Sequence, residues 1–380
     1  MKIAIYGVGK CVEYVFQNIK MCKNSKIKCN LFIDNNPDYY GKQKDDIPIV
    51  NLECFIKLYR ESVDCVLVAV SDVIVAQEMV VSLLNYNYDK ILLIPEKTWE
   101  ARFPILGLDG KFKAYIKNYS LFKPVLKYIE YHVSDYCNLK CKGCGHYSNL
   151  ITKKEFPDIE EFKESLKGLS KRFINIMMFR LMGGEPFVNS DLNLYIYKVR
   201  EEFPYTDIRI VSNGLLLPKV SKRVVNSIKE CGAIIDITQY PPTRDKLEYI
   251  LEFIEENQLK FTIGSEVKNF FSQLSKSSSE NFEEIFFNCY SKTCYFLRKN
   301  YLYPCPSVVL TYENRDFLEL DISEKSVVKN SFDLINGKES GWDMLKKMLA
   351  PNDFCKYCTE MKWYEWSISK DIKKEDYFAR

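Results

Sequence analysis

Hydrophobic positions in the first hundred residues fall into short apolar runs at 3–6, 28–33, 63–70 and 91–94, separated by longer one-sided stretches. Short runs rich in Val, Ile and Leu predict strands buried in a parallel sheet, and the helical spacing over 73–84 predicts a crossover helix between two of them. Residues 10–20 read as a further helix, entered through the tight turn Gly7-Val8-Gly9. Strand, crossover helix, strand implies parallel pairing. The stretch 100–129 carries Pro104, Gly107, Gly110 and Pro124 without a clear period and reads as a connector. A second alternation follows, with strands at 131–134, 175–182, 207–212, 233–238 and 259–264, and helices at 158–171, 191–203, 218–231 and 245–257. Asp158 with Glu161 forms a capping box for the first of these helices. The fold class is α/β, and the second series suits a partial parallel (β/α) barrel. Its domains are expected at 1–99, at 130–280 after the connector, and at 281–380 as a small cysteine-rich extension.

Composition narrows the function classes. With 47% hydrophobic residues the chain can bury substantial cores, and 54 basic against 51 acidic residues leave a net charge of only +3. Charges are spread along the chain, so no polycationic arm argues for nucleic acid. No run of about 18 uncharged apolar residues exists, and the N-terminus lacks a long apolar signal core. A cytoplasmic protein that binds no membrane is expected.

Fourteen cysteines in 380 residues carry the chemistry. Cys137, Cys141 and Cys144 stand at C-x3-C-x2-C, a triple that random placement would produce about 0.02 times per chain. Three thiolates around a four-iron cubane leave one iron open, as a site that binds a small molecule requires. A second group follows at Cys289, Cys294, Cys305, Cys355 and Cys358. Aromatic runs flanking Arg298-Lys299-Asn300 suggest a hairpin that brings Cys294 and Cys305 together at its open end, with the later C-x2-C pair completing four sulfur ligands. Cys294, Cys305, Cys355 and Cys358 are the first choice, and Cys289 competes with Cys294. A closed zinc site has the same sequence appearance. Cys11, Cys22, Cys29, Cys54, Cys65 and Cys231 read as small core side chains.

The triple, followed in order by Leu181-Met182-Gly183-Gly184-Glu185-Pro186 and Val211-Ser212-Asn213-Gly214, resembles the radical S-adenosylmethionine (SAM) superfamily over roughly residues 130–266. All three motifs fall at strand C-termini, the chemical rim of parallel β/α barrels. The resemblance implies a 4Fe-4S cluster on Cys137, Cys141 and Cys144, with SAM on its open iron. It also implies that Gly183, Gly184 and Glu185 receive the methionine part, and that Ser212 and Asn213 touch ribose or carboxylate. One departure is Gly143, where the family usually has an aromatic near the adenine; His146 and Tyr147 stand close enough to replace it. The tail resembles the twitch extension that carries one auxiliary 4Fe-4S cluster, and has too few cysteines for the longer SPASM form with two. In that light iron and sulfur are favoured over zinc.

The N-terminal pattern Ile33-Asp34-Asn35-Asn36-Pro37, with Gly41 and Ile47-Pro48-Ile49-Val50, looks like small Rossmann-like domains joined to sugar-modifying enzymes, some of which bind nucleotide sugars. The turn Gly7-Val8-Gly9 is weak as an NAD fingerprint, because Val12 stands where the third glycine or alanine would be. The leading expectation is oxidation or epimerisation of a sugar, nucleotide sugar or cyclitol, with flavodoxin or ferredoxin as electron donor. Peptide maturation is the alternative, followed by a non-catalytic iron-sulfur sensor. His132, Trp363, Tyr364 and Trp366 read mainly as packing, Asp236 and Thr238 near the end of the fourth strand are minor candidates to face SAM or substrate, and the sequence names no acceptor for the substrate proton.

Overall fold

The computed structural model describes residues 1–9, 12, 13, 15, 27–70, 72–93 and 117–379. Most of the helix expected at 10–20, most of the connector, Cys11 and Cys22 lie outside them. The chain divides into two compact units, one formed by residues 1–125 and 341–346, the other by 126–340 and 347–380.

The first unit is built on a seven-stranded sheet. Its strands are β1 (Lys2–Tyr6), β2 (Lys28–Ile33), β3 (Gln43–Lys44), β4 (Ile47–Val50), β5 (Cys65–Val68), β6 (Ile91–Leu93) and β7 (Lys117–Asn118), in the order β3-β4-β2-β1-β5-β6-β7. The five central strands run parallel, and β3 and β7 close the edges antiparallel. The helix Val73–Asn85 starts where the Asp72 carboxylate accepts the Ile74 and Val75 N–H groups. At the end of β1, Gly7 takes φ +104, with Ala69 O and a Val70 methyl where a side chain would start. Asp34 accepts from Val8 N at 3.0 Å and from Asn36 N at 2.9 Å, so its carboxylate already holds the glycine turn.

The second unit contains β8 (Val125–Ser134, all but its first residue), β9 (Asn175–Gly183), β10 (Asp207–Ser212), β11 (Ile234–Gln239) and β12 (Lys260–Glu266), neighbours in chain order. Amphipathic helices Ile159–Ser170, Leu192–Glu202, Lys222–Glu230 and Leu247–Glu256 link them. Parallel pairing holds through β9, β10, β11 and β12. On the other side β8 takes β14 (Phe296–Arg298) in parallel, and β14 turns into β15 (Tyr301–Tyr303) and then β16 (Phe332–Asp333). A separate ribbon pairs β13 (Asn269–Leu274) with β17 (Cys358–Glu365). The fold is mixed α/β with parallel sheets. No helix of the described residues is long and apolar enough to cross a membrane.

The first strand of this unit begins at Val125, six residues before the predicted start. Val125, Leu126 and Ile129 are already buried there, among polar and aromatic residues that hide the strand's period. The expected hairpin at 296–303 is present, and its turn is set by Lys299 and Asn300, both at positive φ (50° and 62°), which suits the twist of a two-residue turn. Asp158 caps its helix through the Glu160 and Glu161 N–H groups.

The tail is fastened to the β/α core by one buried cation. Arg172, 9% exposed, donates to the carbonyls of Gly168, Leu334, Asp333, Gly337 and Glu339. A planar guanidinium can satisfy five acceptors fixed by backbone; a lysine ammonium has three donors and a different geometry. Arg172→Lys is expected to cost about 3 kcal/mol in urea unfolding, and an unchanged midpoint would show that these carbonyls are equally well served by water.

Candidate functional site

The cysteine loop starts where β8 ends, and its path is fixed by backbone contacts to the end of β9. Gly184 N donates to Ser134 O at 2.8 Å and Glu185 N to Tyr136 O at 3.0 Å. A Cβ on Gly183, itself at φ +133, would overlap Ser134 O, and one on Gly184 would overlap Tyr136 O. The glycine pair is therefore required for main chain to lie against main chain. On its other side the loop is held by Lys140, whose ammonium donates to Asn149 O and Ile151 O, and by Asn149 Nδ2 donating to Cys141 O.

Cys137, Cys141 and Cys144 line one cavity together with Gly183, Gly184, Ser212, Asn213, Thr238, Tyr240 and Phe270. The three strand-end motifs thus meet at one place. Glu185 does not line it: fully buried, its carboxylate accepts from Ser212 Oγ at 2.7 Å, Asn213 N at 3.0 Å and Phe187 N at 3.1 Å. Burial pushes this carboxyl from 4.5 to about 7 against those three donors. Its work is to tie the end of β9 to the end of β10. Asn213 in turn donates to Asn138 Oδ1 at 2.8 Å, so the third motif also touches the cysteine loop.

Two of the thiols are favoured as thiolates by backbone N–H groups: Leu139 N reaches Cys137 Sγ at 3.4 Å, and the N–H groups of His146, Ser148 and Asn149 act on Cys144. Burial, with the neighbouring Cys144, pushes the Cys141 thiol up to about 12. Soft ligands that burial keeps protonated until a cation arrives, ringed by N–H donors that suit a thiolate, are the donor set an iron-sulfur cluster uses.

Gly143 stands at φ +59, and a side chain there would overlap Tyr364 Oη and Asp376 O. The place of the usual aromatic is occupied from the tail instead. Tyr364 donates to Gly143 O at 3.0 Å, and Trp366 stacks on Tyr240 with ring centroids 5.6 Å apart. Of the two expected substitutes, His146 lines the cavity, whereas Tyr147 is buried elsewhere, stacked on Tyr377 and bonded to Thr311. Trp363 is 63% exposed and does not line this cavity.

A chain of polar groups that sequence reasoning did not assemble runs behind His146. His146 Nδ1 lies 3.0 Å from His132 Nε2, His132 Nδ1 lies 2.7 Å from Asp135, and Arg298 grips Asp135 with both terminal nitrogens while also pairing with Glu313. Burial alone would raise Asp135, but the His132 and Arg298 bonds hold it well below the usual carboxylate range. Only the H-x2-D spacing at 132–135 hinted at this.

His146 also borders a second, larger cavity of about 720 Å³, lined by Lys127, Tyr128, Glu130, Arg180, Asp207 and Cys294 among others. Tyr128 hydrogen-bonds both Glu130 and Arg180, and Asp236 lies between Arg180 and Arg209. Among the C-terminal cysteines, burial pushes the Cys305 thiol up to about 12 and raises those of Cys355 and Cys358, and neighbouring cysteines, Cys289 among them, push in the same direction. Burial, followed by the Glu130 charge in the chamber lining, pushes the Cys294 thiol up to about 12. Of the remaining described cysteines, Cys65 and Cys231 are buried, and Cys29 and Cys54 half-buried.

Residues 131–256, which span the three strand-end motifs, match the radical SAM superfamily. This segment is a radical SAM domain. The GTP 3',8-cyclase of Clostridium botulinum (strain Hall) is 26% identical over 165 residues, 43% of this chain and 47% of the relative. That of Aquifex aeolicus is 31% identical over 110 residues, 28% and 32% of the two chains. The chain spans about half the length, or less, of the curated relatives it matches. Among solved structures, BtrN in complex with AdoMet and 2-DOIA is 15% identical with TM-score 0.39, covering 63% of this chain and 95% of that one. Native anSMEcpe with bound AdoMet and Cp18Cys peptide is 18% identical with TM-score 0.29, covering 37% and 42%. The radical SAM superfamily implies a four-iron cluster and SAM, and the thiol and N–H donors described above fit the cluster.

Glu185 gives a pH test of the strand tie in this domain. Its folded value lies above its ordinary one, so the folded state binds the proton more tightly than the unfolded chain. The contribution is fully present below 4.5 and is lost as pH rises through about 7. Against Glu185→Gln as reference, urea unfolding should show the native protein gaining relative stability as pH falls from about 8 to about 5. A pH-independent difference would mean that the three donors outweigh burial.

Proposed function

We propose that this chain reductively cleaves SAM and takes a hydrogen atom from a small polyhydroxylated substrate, a sugar, nucleotide sugar or cyclitol, leading to its oxidation or epimerisation. The observation that carries this reading is the shared wall: His146 borders both the thiol-lined cavity and the 720 Å³ chamber. That volume lies within the range of small-ligand sites. Its charged lining, Lys127, Glu130, Arg180 and Asp207, balances to neutrality, which suits hydroxyl groups that both donate and accept.

In this reading Cys137, Cys141 and Cys144 hold the 4Fe-4S cluster, and the half-buried backbone of Gly183 and Gly184, with Ser212 and Asn213, receives SAM. When bound, cluster and SAM supply the radical that removes the substrate hydrogen. Glu185 and Asn213 are positioning residues that keep three strand ends in register. Cys305, Cys355 and Cys358 hold an auxiliary 4Fe-4S cluster, and the place of Cys294 in the chamber lining supports Cys289 as fourth ligand ahead of it. A flavodoxin or ferredoxin supplies electrons. The glycine turn at Gly7 and the parallel order of the N-terminal sheet support a Rossmann-like unit for nucleotide-sugar recognition.

Reconstituted without oxygen and given SAM and dithionite, the protein is expected to form 5'-deoxyadenosine. Cys141→Ala should lose about half of the bound iron and at least a hundredfold of this activity. A fully loaded protein that forms no 5'-deoxyadenosine rejects the reading.

A further inference from the structure

We propose that Cys294 is the chamber's own thiol and returns a hydrogen atom to the substrate radical, which makes the overall reaction an epimerisation. This rests on the radical reading above and goes beyond it by choosing between its two outcomes. Cys294 follows the short turn Ser291-Lys292-Thr293 and lines the chamber beside Tyr290, Ser291 and Thr293, a lining to which Cys289, Cys305, Cys355 and Cys358 do not belong. A four-iron cluster bound by four protein thiolates leaves no vacancy for a fifth.

The chamber around this thiol is arranged for a ligand. Glu130 is 5% exposed and lines it together with Arg180, so a hydroxyl-bearing substrate can accept from the guanidinium and donate to the carboxylate. It would then lie near both Cys294 and the wall that His146 shares with the thiol-lined cavity.

Reactivity agrees with this placement. A free cysteine is mostly S–H at neutral pH, and this one lines the same chamber as Glu130. A hydrogen-atom donor needs the intact S–H bond, which is weaker than the C–H bond it makes. In the return step the S–H bond breaks and a C–H bond forms on the substrate carbon, leaving sulfur one electron short. One electron from the flavodoxin- or ferredoxin-class donor and one proton from solvent restore the thiol. An alcohol oxidation would instead leave the substrate two hydrogens poorer and return nothing.

Two measurements test the assignment. Iron and sulfide analysis of the reconstituted variants needs no substrate: Cys289→Ala should lose about half of the iron, and Cys294→Ala should keep all of it. Loss of iron from Cys294→Ala to the level of Cys289→Ala makes Cys294 a ligand and overturns the proposal. The second measurement is turnover in D2O with UDP-glucose, UDP-N-acetylglucosamine and myo-inositol as probes, followed by mass spectrometry. A probe that the native protein converts should come back one mass unit heavier, and Cys294→Ala should cut that incorporation at least tenfold while still forming 5'-deoxyadenosine. A product two mass units lighter, with 5'-deoxyadenosine formed, overturns the hydrogen return and keeps the radical reading. No 5'-deoxyadenosine at all, from fully loaded native protein, removes both.

Discussion

The contact on which the candidate site depends is between two stretches of main chain. Gly183 and Gly184 lie against Ser134 and Tyr136 so closely that neither can carry a Cβ, and two hydrogen bonds of 2.8 and 3.0 Å lock the pair. With this contact made, the cysteine loop can leave β8 in only one direction, so its three cysteines meet the ends of β9 and β10 in one cavity. The next residue, Glu185, is driven into the interior, where it collects the Ser212 and Asn213 donors and draws the third motif into the same place. Three motifs spread between positions 137 and 214 become one site through a steric constraint and one buried carboxylate.

The tail closes the loop from the opposite side. Lys142 N donates to Ser367 O and Ser369 N to Lys140 O, both at 2.9 Å, and Cys141 forms a bridge with Ile368. Tyr364 fills the space that a side chain at position 143 would need, and Trp366 stacks beside it on Tyr240. The glycine at 143 and the aromatics at 364 and 366 are therefore one structural decision made at two distant points of the chain. An aromatic delivered from the tail rather than from the loop couples the thiol-lined cavity to the C-terminal ribbon of β13 and β17.

How far this is legible in the sequence depends on the range of the signal. The cysteine triple, the glycine pair and the period of the second β/α series are local, and each appears in the fold close to its expected bounds. The roles of side chains within those motifs are harder to read. Glu185 looks like a ligand contact at the end of a glycine turn, yet it is buried, because only the folded chain brings Ser212 and Asn213 to it. Arg172 carries no motif at all; its five acceptors are carbonyls spread from 168 to 339. Spacing also cannot decide which of two thiols flanking a short turn faces inward. The 291–293 turn separates Cys289 from Cys294, and the chain direction after it is set by pairing of β14 with β8, which no local pattern encodes.

Pairing β14 with β8 also sets where the chemistry can happen. By adding β14 to the edge strand of the parallel sheet, the chain brings the C-terminal cysteine segment to the same unit as the radical SAM motifs, and the chamber is bounded by residues of both. Arg298, on β14, reaches back to Asp135 with two bonds and so ties that added strand to the loop that carries Cys137. A bidentate pair that is largely removed from water fixes orientation as well as distance. The wall bearing Cys294 and the wall bearing His146 are thus set by one hydrogen-bonded framework. A reaction in which hydrogen leaves a carbon on one side and arrives on another needs two such walls held at constant separation, whereas loss of hydrogen to a single acceptor needs only one.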